Sequence, residues 1–417
     1  MPRDLFESEP PRTPTRLTAP VIRFLGSPAV DSFELKRILR DEAGARLSIG
    51  NRVTPLFTGR DSFERRAAMI LGARHSIHLQ TFVFASDDTG LHMAEMLAQR
   101  ARDGLKVRVI YDAVGAMRSD PTMFAMMRNA GVELRKKSFS SLNRRWHEKH
   151  FIVDGRAAIT GGMNIGAEYE HGGKTYVKNG GRRWGWRDKD AHVDGPAVRD
   201  FQFAFLRNWA KLGADVSEEE ERELMRAPSA HADGESMGVV QSHPVSGETV
   251  PTSELLYYAF ASARKLITIE TPYLLPAPDT LQALLEAATR GVRVRIMTNS
   301  RRGSNHGVVN DAAEPVIRQL LEAGVEIYES PTMLHSKTAT IDGKLTIIGS
   351  ANLNQRSHFW DGEVASAVWG KKTAAAMQKH FEDHLPVTHF LMPEDLGHQS
   401  MMRRFIMRLS RPARSSL

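Results

Sequence analysis

HEKHFIVDGRAAITGGMN (residues 147–164) and HSKTATIDGKLTIIGSAN (residues 335–352) read as two copies of one segment. Both carry His-x-Lys-x-x-x-x-Asp, a small pair (Gly161-Gly162 or Gly349-Ser350) and then an asparagine at identical spacing. His147, Lys149, Asp154 and Asn164 thus align with His335, Lys337, Asp342 and Asn352. The likeness extends outward from both copies. ARHSIHLQTFVF (73–84) is answered by ARKLITIETPYL (263–274), ARDGLKVRVIYD (101–112) by ATRGVRVRIMTN (288–299), and NAGVELRKKS (129–138) by EAGVEIYESP (322–331). Matching blocks in one order mark an internal duplication, each copy one structural unit.

Within a copy, apolar strand-like runs alternate with segments of helical spacing. GLHMAEMLAQRARDG and DTLQALLEAATRG end at Gly104 and Gly291, which suit helix C-caps. This alternation predicts an α/β fold: two α/β sandwich halves, each with a mixed, largely parallel central sheet, packed about a pseudo-twofold with the active site at the seam. The expected organisation is a poorly ordered N-terminal tail (1–30), a first half (45–215, motif 147–154), a linker (216–240), a second half (241–395, motif 335–342) and a basic C-terminal tail (396–417). In the linker, Ser217 and Glu220 read as a capping box opening a short solvated helix.

Read as a strand, each motif places His and Lys on one face and Asp on the other. The Asp-Gly pairs predict hairpin turns whose return arms bring Asn164 and Asn352 back near the start of their hairpins. Two copies across a seam would present two imidazoles, two ammoniums and two amides. That set suits a tetrahedral phosphodiester. Lysine and asparagine can hold non-bridging oxygens, while one histidine attacks phosphorus and the other protonates the leaving oxygen. Asp154 and Asp342 belong to this catalytic motif set as supporting groups rather than acid–base ones. Glu148 and His150 are not echoed in the second copy and read as local variation.

Composition narrows the setting. A formal charge of +7 and a pI near 9.6 point to an anionic partner. With no cysteine, thiolate metal sites, disulfides and cysteine nucleophiles are excluded. The Pro- and Arg-rich start lacks the apolar core of a secretory signal, and no apolar run is long enough to span a bilayer.

These segments resemble the phospholipase D superfamily, whose paired His-x-Lys-x-x-x-x-Asp motifs they share, and within it the bacterial cardiolipin synthases. The segments that carry the narrower resemblance are HLQTFVFASDDTG, VRVIYDAVGA, NRRWHEKHFIVDGRAAITGGMNIGAEY, WRDKDAHVDGPAV, TPYLLP and LHSKTATIDGKLTIIGSANLNQRS, over residues 45 to 385. It implies that His147 forms a phosphohistidine and that His335 acts as general acid, then base. It also implies that Asp188 orients His335 and Glu363 orients His147, each across the seam. The implied reaction moves a phosphatidyl group between phosphatidylglycerol molecules, giving cardiolipin and glycerol. Water or another alcohol as acceptor, or a nucleic-acid phosphodiester as substrate, are the competing readings. No metal or cofactor is implied. The expected partners are an anionic phospholipid and a membrane surface rather than nucleic acid, with the protein cytoplasmic and peripheral on the inner face of the cell membrane. Trp184, Trp186, Phe359 and Trp360 either edge a lipid entrance or are packed loop aromatics. Glu148 in place of a basic residue, Asp361 in place of asparagine, and the extra segment 171–185 depart from the family pattern.

Overall fold

The computed structural model describes residues 28–138, 144–171, 186–243, 250–300 and 307–396. Most of the N-terminal tail, the segment after the first motif with Trp184, and nearly all of the C-terminal tail lie outside the described residues. The first part of the chain runs α1 (Phe33–Glu42), β1 (Arg46–Leu56), α2 (Gly59–Gly72), β2 (Ser76–Thr81), α3 (Asp88–Arg102), β3 (Lys106–Asp112), α4 (Pro121–Asn129) and β4 (Glu133–Lys137). Then come β5 (His150–Val153), β6 (Ala157–Gly161), α5 (Ala167–Glu170), β7 (Asp190–Asp194) and α6 (Val198–Lys211). After α7 (Glu218–Leu224) the pattern returns as β8 (Glu235–Ser242), α8 (Pro251–Ala261), β9 (Leu266–Glu270), α9 (Pro278–Thr289), β10 (Arg293–Asn299), α10 (Gly307–Glu322) and β11 (Glu326–Ser330). It closes with β12 (Thr338–Ile341), β13 (Leu345–Gly349), α11 (Gln355–Phe359), β14 (Glu363–Trp369), α12 (Lys371–His384) and β15 (His389–Phe390).

All these strands lie in one sheet, ordered β15-β11-β10-β9-β12-β13-β14-β8-β1-β7-β6-β5-β2-β3-β4. Apart from edge strand β15, the order mirrors itself about the central antiparallel pair β8–β1. The sheet is mixed, but its parallel part is smaller than expected. Only β2–β3–β4 and β9–β10–β11 run parallel; the other pairings between these strands are antiparallel. Each motif hairpin inserts two antiparallel strands between the parallel trio and the seam, which is why alternation of strands and helices overstated the parallel share.

The glycine signals fall where helices end: Gly104 and Gly291 lie just past α3 and α9 at φ of 92° and 85°. Ser217 caps α7, its Oγ accepting from the Glu220 amide at 3.2 Å. The reciprocal half of the box is not formed. Glu220 instead accepts from Arg108 at 2.6 and 3.1 Å, tying the helix to β3.

Separate apolar cores fill each half, and a third straddles the seam, joining Val53, Ile152 and Phe201 to Met237, Val364 and Met377. Leu35 and Leu39 of α1 are fully buried with Leu255 and Phe260 of α8, so α1 packs into the second half although it precedes the first. The stretch expected as a linker carries α7 and the start of β8.

Candidate active site

In each copy the motif aspartate makes the hairpin. Asp154 and Gly155 have φ of 53° and 61°, and Asp342 and Gly343 have 54° and 64°, the left-handed pair that a tight primed turn requires. The Asp154 carboxylate accepts the backbone N–H groups of Arg74, His75 and Ser76 at 2.7–2.9 Å. Asp342 does the same for Arg264, Lys265 and Leu266 at 2.7–3.2 Å. Both therefore lie at the turn, at the far end of β5 or β12 from His147 or His335, and clamp the hairpin to the start of β2 or β9.

The strands themselves begin only at His150 and Thr338, so the histidine and lysine precede them. Each motif is fixed across the seam instead. His147 N–H donates to the Gly362 carbonyl at 2.9 Å, and His335 N–H to the Arg187 carbonyl at 2.6 Å. These contacts place each histidine beside a carboxylate of the other half. His147 Nδ1 lies 3.1 and 3.2 Å from the Glu363 oxygens, and His335 Nδ1 lies 2.6 Å from Asp188 Oδ2. An Nδ1–H donated to a carboxylate fixes the tautomer and leaves the Nε2 lone pair for chemistry. Lys149 and Lys337 each donate to the carbonyl of their own motif histidine.

The small pair before the asparagine adapts to the carboxylate it meets. A Cβ on Gly162 would come within 2.2 Å of Asp188 Oδ1. In the second copy Ser350 takes that place and donates its hydroxyl to Glu363, and Ser357 adds a second hydroxyl at 2.7 Å.

The asparagines are less alike. Asn164 is buried, accepting from Val83 N at 3.1 Å and donating to Tyr169 Oη at 2.6 Å; the Tyr169 ring packs edge-on to His335 at 5.5 Å. Asn352 keeps its buried Oδ1 without a hydrogen-bond partner. Of the aromatics singled out, Trp186 packs against His335 and Tyr169, with ring centroids 5.0 Å from each. Phe82, in the same half as His147, packs edge-on to it at 5.3 Å.

A family model described as "Cardiolipin synthase, PLD-like domain" matches residues 67–170 and 256–385, which hold both motifs. The chain belongs to this family of phospholipase D-like cardiolipin synthases. It is 30% identical to cardiolipin synthase of Halalkalibacterium halodurans over 89% of this chain and 73% of that protein. It is 31% identical to cardiolipin synthase 2 of Bacillus anthracis, covering 89% of this chain and 72% of the relative. In fold it is similar to phosphatidylserine synthase of Haemophilus influenzae Rd KW20, with a TM-score of 0.71 at 14% identity, over 92% of this chain and all of that one.

The electrostatics of this family member's seam are those of a buried site rich in lysine and arginine. Burial, reinforced by Lys149, Lys337, Arg145 and Arg356, holds His147 well below the usual imidazole value. Burial and Lys337 bring His335 down to about 3. Burial also lowers Lys149 to about 8 and Lys337 to about 7. It raises Glu363 to about 7, whereas Asp188, held by His335 and Lys337 against its own desolvation, stays below the ordinary carboxylate value. An anion entering here restores charge to the lysines and favours the imidazolium.

Sequence reasoning missed a layer behind the motif. Glu148 is fully buried and accepts from Gln80, Asn208 and Gln241 at 2.6–3.1 Å. It also pairs with His150 at 2.9 Å and His243 at 2.6 Å. The two histidines outweigh its desolvation and hold its carboxyl well below the usual value. Glu148 and His150 are thus parts of a buried polar network, not incidental differences between copies. Alternation would have put Glu148 behind His147 and Lys149, but nothing in the sequence announces its partners on α6 and β8. Asp361, where asparagine is common, is held by Arg356 through Nε and Nη2 at 2.9 and 3.1 Å.

Proposed function

We propose that the seam catalyses phosphatidyl transfer of the cardiolipin synthase type. The observation that carries this reading is the crosswise pairing of two motif histidines with carboxylates of the opposite half, in a buried lysine-lined pocket of a chain from this family. In the first step Nε2 of His147 attacks phosphorus of one phosphatidylglycerol. His335 protonates the departing glycerol oxygen, leaving a phosphatidyl-histidine. In the second step His335, now neutral, takes the proton from a hydroxyl of a second phosphatidylglycerol. That oxygen attacks phosphorus, His147 leaves, and the products are cardiolipin and glycerol. Lys149 and Lys337 stabilise the charge that builds on the non-bridging oxygens, and Glu363 and Asp188 hold the imidazole tautomers. Asn352 is the phosphate contact that its place in the motif suggests, whereas Asn164 spends its amide N–H on Tyr169.

Substrates of this kind reside in a bilayer. No helix among the described residues is long and apolar enough to cross a membrane. Peripheral attachment to an anionic membrane, on its cytoplasmic face, is supported by the sequence of the C-terminal tail, whose five arginines alternate with Met401, Met402, Phe405, Ile406, Met407 and Leu409 and which holds no acidic residue. The test is to incubate the protein with labelled phosphatidylglycerol in mixed micelles and separate the products. Cardiolipin with an equal amount of glycerol is expected. Phosphatidic acid alone would replace transfer with hydrolysis, and cleavage of DNA without lipid turnover would move the substrate to nucleic acid.

A further inference from the structure

Two contacts fix the backbone at His147. Its N–H donates to the Gly362 carbonyl at 2.9 Å. The next residue, Glu148, is anchored in the buried network, where Gln80 of β2, Asn208 of α6 and Gln241 of β8 all donate to its carboxylate. His243, from the second half, touches both anchors. Its side chain is 7% exposed, and its Nε2 lies 2.6 Å from Glu148 Oε1. Its ring lies so close to Gly362 that a Cβ there would meet Cε1 and Nδ1 at 3.0 Å. Trp146 stands edge-on to the same ring at 5.3 Å and is itself bridged to Gly362. His243 also follows directly on Ser242, which pairs in register with Glu363, the carboxylate beside His147 Nδ1.

The second copy lacks this arrangement. Ser336 stands in place of Glu148, its buried Oγ without a hydrogen-bond partner, and Thr338 in place of His150. The support thus falls on the histidine that, in the reaction proposed above, bonds to phosphorus. Attack depends steeply on placement: the reacting atoms must lie about 3–3.5 Å apart and aligned, and a shift of about 1 Å costs about a hundredfold. A buried side chain that braces the backbone of the attacking group therefore acts on rate rather than on substrate affinity. We propose that His243 is a positioning residue for His147, holding its imidazole at the angle of attack through Gly362 and Glu148. The proposal rests on His147 being the nucleophile.

Burst kinetics of the full-length protein with a phosphatidyl nitrophenyl ester test it, in a His335→Ala background that blocks the second step. Nitrophenolate leaves without a proton, so its burst reports attack alone. His243→Ala is expected to lower the burst rate constant at least tenfold. The burst amplitude per folded site and the half-saturating substrate concentration should stay within twofold. His243→Gln, whose Nε2 can reach Glu148 as the imidazole does, should restore the rate to within threefold of the parent. A purely structural role would lower the melting temperature or the amplitude and leave the rate constant of the folded fraction within twofold. That result would overturn the proposal, as would a rise in half-saturating concentration at constant rate, or a His243→Gln variant as slow as His243→Ala. If His243→Ala does not fold because Glu148 loses its partner, Glu148→Gln with and without His243→Ala carries the same comparison, and the same tenfold difference is expected through Gly362. Absence of any burst from the His335→Ala parent would overturn the nucleophile reading and this proposal with it. A burst that His243→Ala does not slow would overturn this proposal alone.

Discussion

Three of the protonation states that the reaction needs lie close together on the pH scale, and the fourth, the His335 imidazolium, is favoured only once the substrate anion has entered. Glu363 must be ionised to accept Nδ1–H of His147, and burial raises it to about 7, so its carboxylate form is lost as pH falls below that. Lys337 and Lys149 must be charged to hold phosphate, and burial lowers them to about 7 and about 8, so their charge is lost as pH rises. The kcat/KM profile is therefore expected to be a narrow bell near neutrality, its acid limb from Glu363 and its alkaline limb from Lys337. Replacing Lys337 with arginine should extend the alkaline side even where the maximum falls. A profile flat from pH 5 to 9 would contradict these assignments. His147 and His335, each with a lysine two residues on, were legible as candidates because repetition at fixed spacing singled them out from sixteen histidines. Glu148 was not, because its worth depends on His243 and Gln241, which sequence spacing cannot bring near it.

Among elements, the motif hairpin separates structural from chemical roles. The three backbone N–H groups that Asp154 accepts hold β5 against the start of β2. Asp154→Ala should thus cost about 2–3 kcal/mol of stability in denaturant unfolding while the surviving folded enzyme keeps most of its kcat. Gly162→Ala should do the reverse. Its Cβ would meet Asp188 at 2.2 Å and push it from His335. A displacement of about 1 Å costs about a hundredfold in rate with little change in melting temperature. The turn and the return arm were legible from Asp-Gly and alternation. Where the strand starts was not, because the motif histidines are fixed by bonds to Gly362 and Arg187 in the other half.

At the scale of the molecule, the two halves share one sheet, one seam core and a buried ion pair, Lys189–Glu270, at 2.6 Å between halves. Because α1 also packs into the second half, separating the copies would strip both cores. We expect one cooperative unfolding transition in calorimetry, and two resolved transitions would show independent halves. Lys189→Ala, which strands Glu270 in the interior, should lower stability by about 3–5 kcal/mol. The duplication and mixed α/β class were readable because both copies repeat the same order of blocks. The placement of α1 was not, since amphipathic spacing tells that a helix buries a face and not which sheet receives it.

The claim on which the account turns is that His147 carries the phosphatidyl group while His335 moves protons. A phosphatidyl ester of nitrophenol needs no proton on its leaving group, so it isolates the first step. With His335→Ala and this substrate, rapid quench should give a burst of about one nitrophenolate per site. Mass spectrometry should then find the phosphatidyl adduct on the peptide that contains His147. An adduct on His335 in the unaltered enzyme, or a burst that survives in His147→Ala, would contradict it.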